Sequence, residues 1–65
     1  MTLAKQLRNE RGIKANFIAE KILGVSHSYF SRIENATVPM PIVVKNRLAK
    51  FYGVEARDLD KVIGG

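Results

Sequence analysis

Apolar residues stack at i, i+4 spacing along much of this chain, the period of a helix that buries one face. Leu3 stands over Leu7, Ile18 over Ile22 with Ala19 over Leu23, and Val44, Leu48 and Tyr52 fall in line. Turn formers cut the pattern into helix-sized pieces. Gly12 follows "LAKQLRNER", Gly24 follows "NFIAEKIL", Pro39 and Pro41 precede "IVVKNRLAKFY", and Gly53 closes that run. Each stands where a helix C′ or N1 residue falls. The pattern predicts five helices, over about residues 2–11, 15–23, 27–35, 41–52 and 55–63, with Thr2 capping the first and Leu59, Val62 and Ile63 facing inward from the last. There is no repeat, low-complexity tract or two-residue hairpin turn. The expected fold is all-α.

The third helix has its register set locally. Ser26 is a good N-cap, with Val25 before it and Phe30 four helical positions in, the pairing of a hydrophobic staple. Advancing about 100° per residue from Phe30 puts Ile33 near 300° and Ser26 near 320°, so the buried face centres near 330°. Opposite it lie Ser28, Ser31, Arg32 and Asn35, with His27 and Tyr29 at the two edges.

Composition narrows what such a face can do. At 65 residues the chain is one small domain, only marginally able to stabilise itself by packing. With no cysteine and one histidine, neither a disulfide framework nor a structural zinc site is available. The longest pure aliphatic run is "IVV" at 42–44, so no transmembrane span is predicted, and "MTLAKQLRNER" lacks the apolar core of a signal peptide. The cytoplasm is the expected location. Eleven Lys and Arg against six Asp and Glu leave a net charge of +5, which makes nucleic acid the first partner to consider and an anionic membrane the second. A membrane-surface helix needs a broad apolar face against a Lys/Arg face, and no helix here is basic enough. The charge is spread along the chain, with six basic and three acidic groups in residues 1–35, so there is no detached basic tail.

His27 beside Ser28 raises a catalytic reading. Consecutive helical residues diverge by about 100°, which disfavours the nucleophile–base hydrogen bond that activation requires. Neither serine sits in a glycine-framed elbow, and no third residue orients the histidine. No enzymatic constellation and no cofactor or small-molecule site is implied. Short hydroxyls, an amide and one guanidinium instead suit base-pair edges: Arg reads guanine bidentately, Asn reads adenine, and Ser serves either. A helix ending at Leu23, a short turn through Gly24 and Val25, and a helix starting at once make a helix-turn-helix, with small Ala19 at the crossing.

The stretches "LRNERG", "IAEKILGVSHSYFSRIEN" and "LAKFYGVEARDL" resemble the Cro/CI or lambda-repressor-like (XRE) family of DNA-binding domains, over roughly residues 3–60. The resemblance implies a compact five-helix domain in which helices 2 and 3 form the helix-turn-helix. It implies a sequence-specific regulator of transcription, a repressor of phage or mobile-element type. Base contacts would come from His27, Ser28, Ser31 and Arg32, and contacts to the DNA backbone from Lys14, Asn16, Tyr29, Asn35 and Thr37. Arg8 and Glu34 would pair as a structural ion pair. Relatives bind two-fold operators as homodimers, which here would meet through Val38, Met40, Val54, Ala56 and Arg57.

Three departures from the family pattern carry consequences. Lys14 and Ala15 stand where "SQ" or "TQ" is common, so the phosphate contact there is missing or passes to Lys14 and Asn16. Four residues separate Ala19 from Gly24 where three are usual, so either the turn is one residue longer or helix 2 is bulged. The loop "ATVPMP" carries no charge, and its Val38 and Met40 belong either to the core or to a partner surface. The weak helix 2 cap and the uncharged loop keep a second class open, a helix-turn-helix module that binds another protein and has no operator of its own.

Overall fold

A computed structural model describes residues 1–63; Gly64 and Gly65, the end of the expected domain, lie outside the described residues. Four helices pack around one core: α1 (Leu3–Glu10); α2, α-helical over Ala15–Phe17 and π-helical over Ile18–Leu23; α3 (His27–Glu34); and α4 (Ile42–Tyr52). The core is built from Ala4, Ile18, Ala19, Leu23, Phe30, Ile33, Met40, Val44, Leu48, Tyr52 and Leu59. Val44, Leu48 and Tyr52 are the buried residues of α4, as their i, i+4 spacing predicts.

The fifth helix expected over about 55–63 is not formed. A single 3₁₀ turn, Ala56–Asp58, takes its place, followed by an extended segment in which Val62 bridges antiparallel to Thr2. Leu59 is fully buried as expected, but Val62 is 67% exposed. Unpaired backbone donors at the start of α1 account for this. The first N–H groups of a helix have no partner inside it. Here Leu3 N–H donates to the Lys61 carbonyl at 2.9 Å, Ala4 N–H to the Leu59 carbonyl at 3.1 Å, and Lys5 N–H to Thr2 Oγ1 at 3.2 Å. Ile63 N–H in turn donates to the Met1 carbonyl at 2.8 Å. A helix through Ile63 would pair the Leu59 carbonyl with the Ile63 N–H, whereas here that carbonyl accepts from Ala4 and that N–H donates to Met1. Lys45 on α4 holds the same segment through Asp60 at 2.7 Å, a hydrogen bond that keeps the Asp60 carboxyl below the usual carboxylate range.

The extra residue before Gly24 is absorbed inside α2. At the end of α4, Gly53 N–H and Val54 N–H both donate to the Ala49 carbonyl, four and five residues back. At the end of α2, Gly24 N–H and Val25 N–H both donate to the Ala19 carbonyl, five and six residues back. Both closures use a glycine at positive φ, 72° at Gly53 and 69° at Gly24. They are the same cap, enlarged by one residue in α2. Of the two alternatives open at the sequence level, the bulged helix is the one adopted, and the connection to α3 stays short.

Candidate nucleic-acid interface

The α3 helix is held by its inner face and offers its outer one. Ser26 adopts an extended backbone and its Oγ accepts the Tyr29 N–H at 3.2 Å, so capping starts the helix at His27. Phe30 and Ile33 are buried, and half-buried Val25 packs against the same core. His27, Ser28, Arg32 and Asn35 are exposed, and Tyr29 is at the border of exposure. Ser31 is half-buried and is the nearest acceptor for Asn35 Nδ2, at 3.5 Å. One continuous surface therefore carries an imidazole, a hydroxyl and a guanidinium, framed by a phenol and an amide.

The candidates for backbone contact are less uniform. Lys14 and Asn16 are exposed at the start of α2, and Lys14 occupies the N-cap position without making a side-chain cap. Asn35 caps the C-terminal end of α3, and its Oδ1 accepts from Lys5 Nζ at 2.7 Å. Lys5 is a residue that the sequence reading missed. It brings a cation from α1 to the end of α3, where the helix dipole favours positive charge, but a separation of thirty positions leaves no local signal of that meeting. Thr37 is exposed, and its N–H donates to the Arg32 carbonyl at 2.9 Å, which closes α3. This closure runs through Ala36 at φ 61°, a left-handed conformation that helix ends elsewhere in the chain give to glycine.

Beneath this surface, the structure brings Arg8 and Glu34 together. Arg8 Nε donates to Glu34 Oε2 at 2.8 Å and Nη2 to Oε1 at 3.0 Å, a two-pronged bond, while Nη1 donates to the Ile13 carbonyl. The Glu34 side chain is 3% exposed and that of Arg8 14%. The hydrogen bond to Glu34 raises the Arg8 guanidinium above its already high ordinary pKa. Glu34 also receives both donors of Thr2 on its backbone carbonyl, N–H at 3.1 Å and Oγ1 at 3.0 Å. One residue at the end of α3 thus anchors that helix to both ends of α1. Next to it, Tyr52 is buried with a hydroxyl that has no hydrogen-bond partner among the described residues, and burial, with the Glu34 charge adding to it, pushes its pKa up to about 12. Arg11 lies over the Tyr52 ring, 5.2 Å from its centroid.

The expected dimer surface is only partly on the surface. Met40 is 7% exposed and belongs to the core, the first of the two places left open for it at the sequence level. Val38 and Val54 are half-buried and packed against the core, Ala56 is half-buried, and Arg57 is exposed. Two large apolar side chains on the first turn of α4 face outward, Ile42, 63% exposed, and Val43, 59%. The i, i+4 stack of Val44 with Leu48 and Tyr52 turns Val44 inward and leaves these two outside it. Among the described residues, no cluster of His, Asp or Glu is placed to hold a metal ion, and no helix is long and apolar enough to cross a membrane.

Comparison with known proteins agrees with this geometry. A family model described as "Helix-turn-helix domain" matches residues 2–62. The chain is also 38% identical, over 52 residues, to proteins described as "HTH-type transcriptional regulator RamB" from two strains of Mycobacterium tuberculosis, CDC 1551 / Oshkosh and ATCC 25618 / H37Rv. Those matches cover 80% of this chain but 11% of each relative, so the chain spans about a tenth of their length. No solved structure matches it. With two helices joined at an αL glycine, the second of them capped and turned outward, and a family match over nearly its whole length, the chain belongs to the helix-turn-helix domain family.

Proposed function

We propose that this chain is a single sequence-specific domain for double-stranded DNA, of the Cro/CI (XRE) type, which inserts α3 in the major groove and regulates transcription. The observation that carries this reading is the outward face of α3. Its buried side is fully committed to the core, and its free side presents His27, Ser28 and Arg32, groups that hydrogen-bond to base edges. Ser31 joins them at the margin. Lys14, Asn16, Tyr29, Asn35 and Thr37 are exposed, Lys5 reaches Asn35, and these groups would meet phosphates. The relatives' description as transcriptional regulators supports the regulatory role. Repression, and an origin in a phage or mobile element, follow from the resemblance to the Cro/CI family alone. Such a domain works where the DNA is, in the cytoplasm of a bacterial cell.

Selection of bound duplexes from a random pool at fixed salt, followed by titration at two salt concentrations, tests the reading. We expect an enriched motif and a steep fall of log K with log salt, each neutralised phosphate contributing about −0.9 to the slope. Arg32→Ala should lose about 1–3 kcal/mol of discrimination at one base pair while binding nonspecific duplex nearly as before. An unchanged motif, with affinity lowered equally for every sequence, would make Arg32 a phosphate contact. The second reading, a helix-turn-helix module that binds a protein instead of an operator, draws on the missing side-chain cap at Lys14 and the uncharged loop at 36–41. Absence of any salt-dependent duplex binding would favour it.

A further inference from the structure

A second surface of this molecule combines positive charge with exposed apolar area, away from the outward face of α3. Between the π-helical half of α2 and the last turns of α4 lies a shallow groove of about 320 Å³, lined by Lys21, Ile22, Arg47, Lys50 and Phe51. No residue of α3 lines it. Arg47, Lys50 and Phe51 stand at i, i+3 and i+4, one face of α4, and Phe51 is 36% exposed.

Charge distribution argues that the groove awaits a partner. Three of the chain's six acidic groups are taken up in ion pairs elsewhere: Glu34 with Arg8, Asp60 with Lys45 and Asp58 with Lys61. The other three, Glu10, Glu20 and Glu55, do not line the groove, and none of its three cations is in an ion pair among the described residues. Like charges gathered without counter-charge repel one another, and an anionic partner would relieve that repulsion. The floor then selects among anionic partners. DNA backbone is held by donors, for which Ile22 and Phe51 offer nothing, whereas a polypeptide can set an apolar side chain on that floor and carboxylates on the rim.

The geometry points to this groove as a docking site for an acidic segment of another polypeptide, one that places an aromatic or large aliphatic side chain between Ile22 and Phe51 and carboxylates against Lys21, Arg47 and Lys50. The site does not depend on the DNA reading. It would let a bound protein sit on the regulator while α3 remains in the groove of the duplex.

The test is a titration of the isotope-labelled full chain, followed by amide NMR shifts, with a short synthetic peptide of Asp and Glu around a single Phe. A second peptide with Ala for Phe and a nonspecific duplex serve as comparisons. We expect the Phe peptide to move the amides of residues 21–22 and 47–51, and the Ala peptide to bind at least about tenfold more weakly. The double variant Arg47→Gln, Lys50→Gln changes only exposed side chains; it should weaken the Phe peptide at least about tenfold while the melting temperature holds. Equal affinity for the two peptides would reduce the site to bare charge attraction and overturn the proposal. So would peptide shifts centred on α3, which would mean that the peptide mimics phosphates, or a duplex that moves the groove amides and competes with the peptide. Duplex binding through α3 is read from separate amides, so failure of the groove leaves the DNA reading standing.

Discussion

Glu34 shows how one side chain at the end of α3 serves stability rather than recognition. Its carboxylate is buried and bonded twice to Arg8, so replacing it leaves a guanidinium that has lost its main partner in a poorly hydrated place. Breaking a buried pair by removing one member costs about 3–5 kcal/mol, and the slight exposure of Arg8 puts the loss near the lower end. Glu34→Ala should therefore lower stability by about 3 kcal/mol in urea unfolding, a large fraction of what so small a domain has. An unchanged midpoint would mean that solvent already screens the pair. Tyr52 behaves in the opposite way. Its hydroxyl is buried without a partner among the described residues, so Tyr52→Phe should leave stability within about 1 kcal/mol of the parent, or raise it. The pH dependence follows from the raised pKa. A phenol that ionises near 10 when unfolded and near 12 when folded contributes stability that is complete below pH 10 and is lost as pH rises towards 12. The parent should lose stability over that window faster than Tyr52→Phe; parallel curves would show that the phenol ionises freely in the fold.

Element by element, the helix ends carry the construction. At α2 and α4 the closing residue is a glycine at positive φ, while α3 closes through Ala36 at φ 61°. An L-residue in that conformation costs roughly 1–2 kcal/mol, partly offset by the greater entropy that glycine has to lose on folding. Ala36→Gly should raise stability by up to about 1 kcal/mol at an unchanged denaturant slope. A loss of stability instead would mean that the alanine methyl makes a contact worth more than the strain. The π-helical half of α2 follows from the same end-closure logic. Ala19 is fully buried and its carbonyl takes both closing N–H groups, so the extra residue between Ala19 and Gly24 has to be accommodated before the cap and not in the turn.

Across the whole molecule, the proposed operator sets a geometric demand. The domain measures 28 × 24 × 23 Å, and one helix reads too few base pairs for a unique genomic site, so a second copy about one DNA turn away, roughly 34–36 Å, completes the reader. Among the expected contact residues Met40 is withdrawn into the core, whereas Ile42 and Val43 stand exposed at the start of α4. We propose that two copies meet there, through a small interface that depends on DNA for much of its coupling. Val43→Lys places a charge in that contact. It should convert a two-to-one complex on a palindromic duplex, followed by sedimentation, into stepwise binding without cooperativity, and it should shift stability by no more than about 0.5 kcal/mol. Undiminished cooperativity would move the interface to Val54, Ala56 and Arg57, beyond the far end of α4.

What could be read from the chain alone is what is decided within about one helical turn. The i, i+4 stacks gave the buried faces of α2 and α4, Thr2 and Ser26 gave the caps of α1 and α3, Gly24 and Gly53 gave the left-handed closures, and the angle around Phe30 gave the outward face of α3. Propensity, capping and turn chemistry operate there, and the residues that supply them are neighbours in sequence. The Arg8–Glu34 pair and the roles of the outward residues came from family resemblance and not from spacing. Only tertiary structure decided between a longer turn and a bulged helix, because both satisfy the same count of residues. Tertiary structure also decided that residues 59–63 turn and then bridge to Thr2 instead of forming a helix. Their helical pattern is real, but the Leu59 carbonyl is taken by the Ala4 N–H and the Ile63 N–H by the Met1 carbonyl, both more than fifty residues away in sequence. Met40, Lys5 and Tyr52 found their surroundings in the same way, from partners that no local window contains.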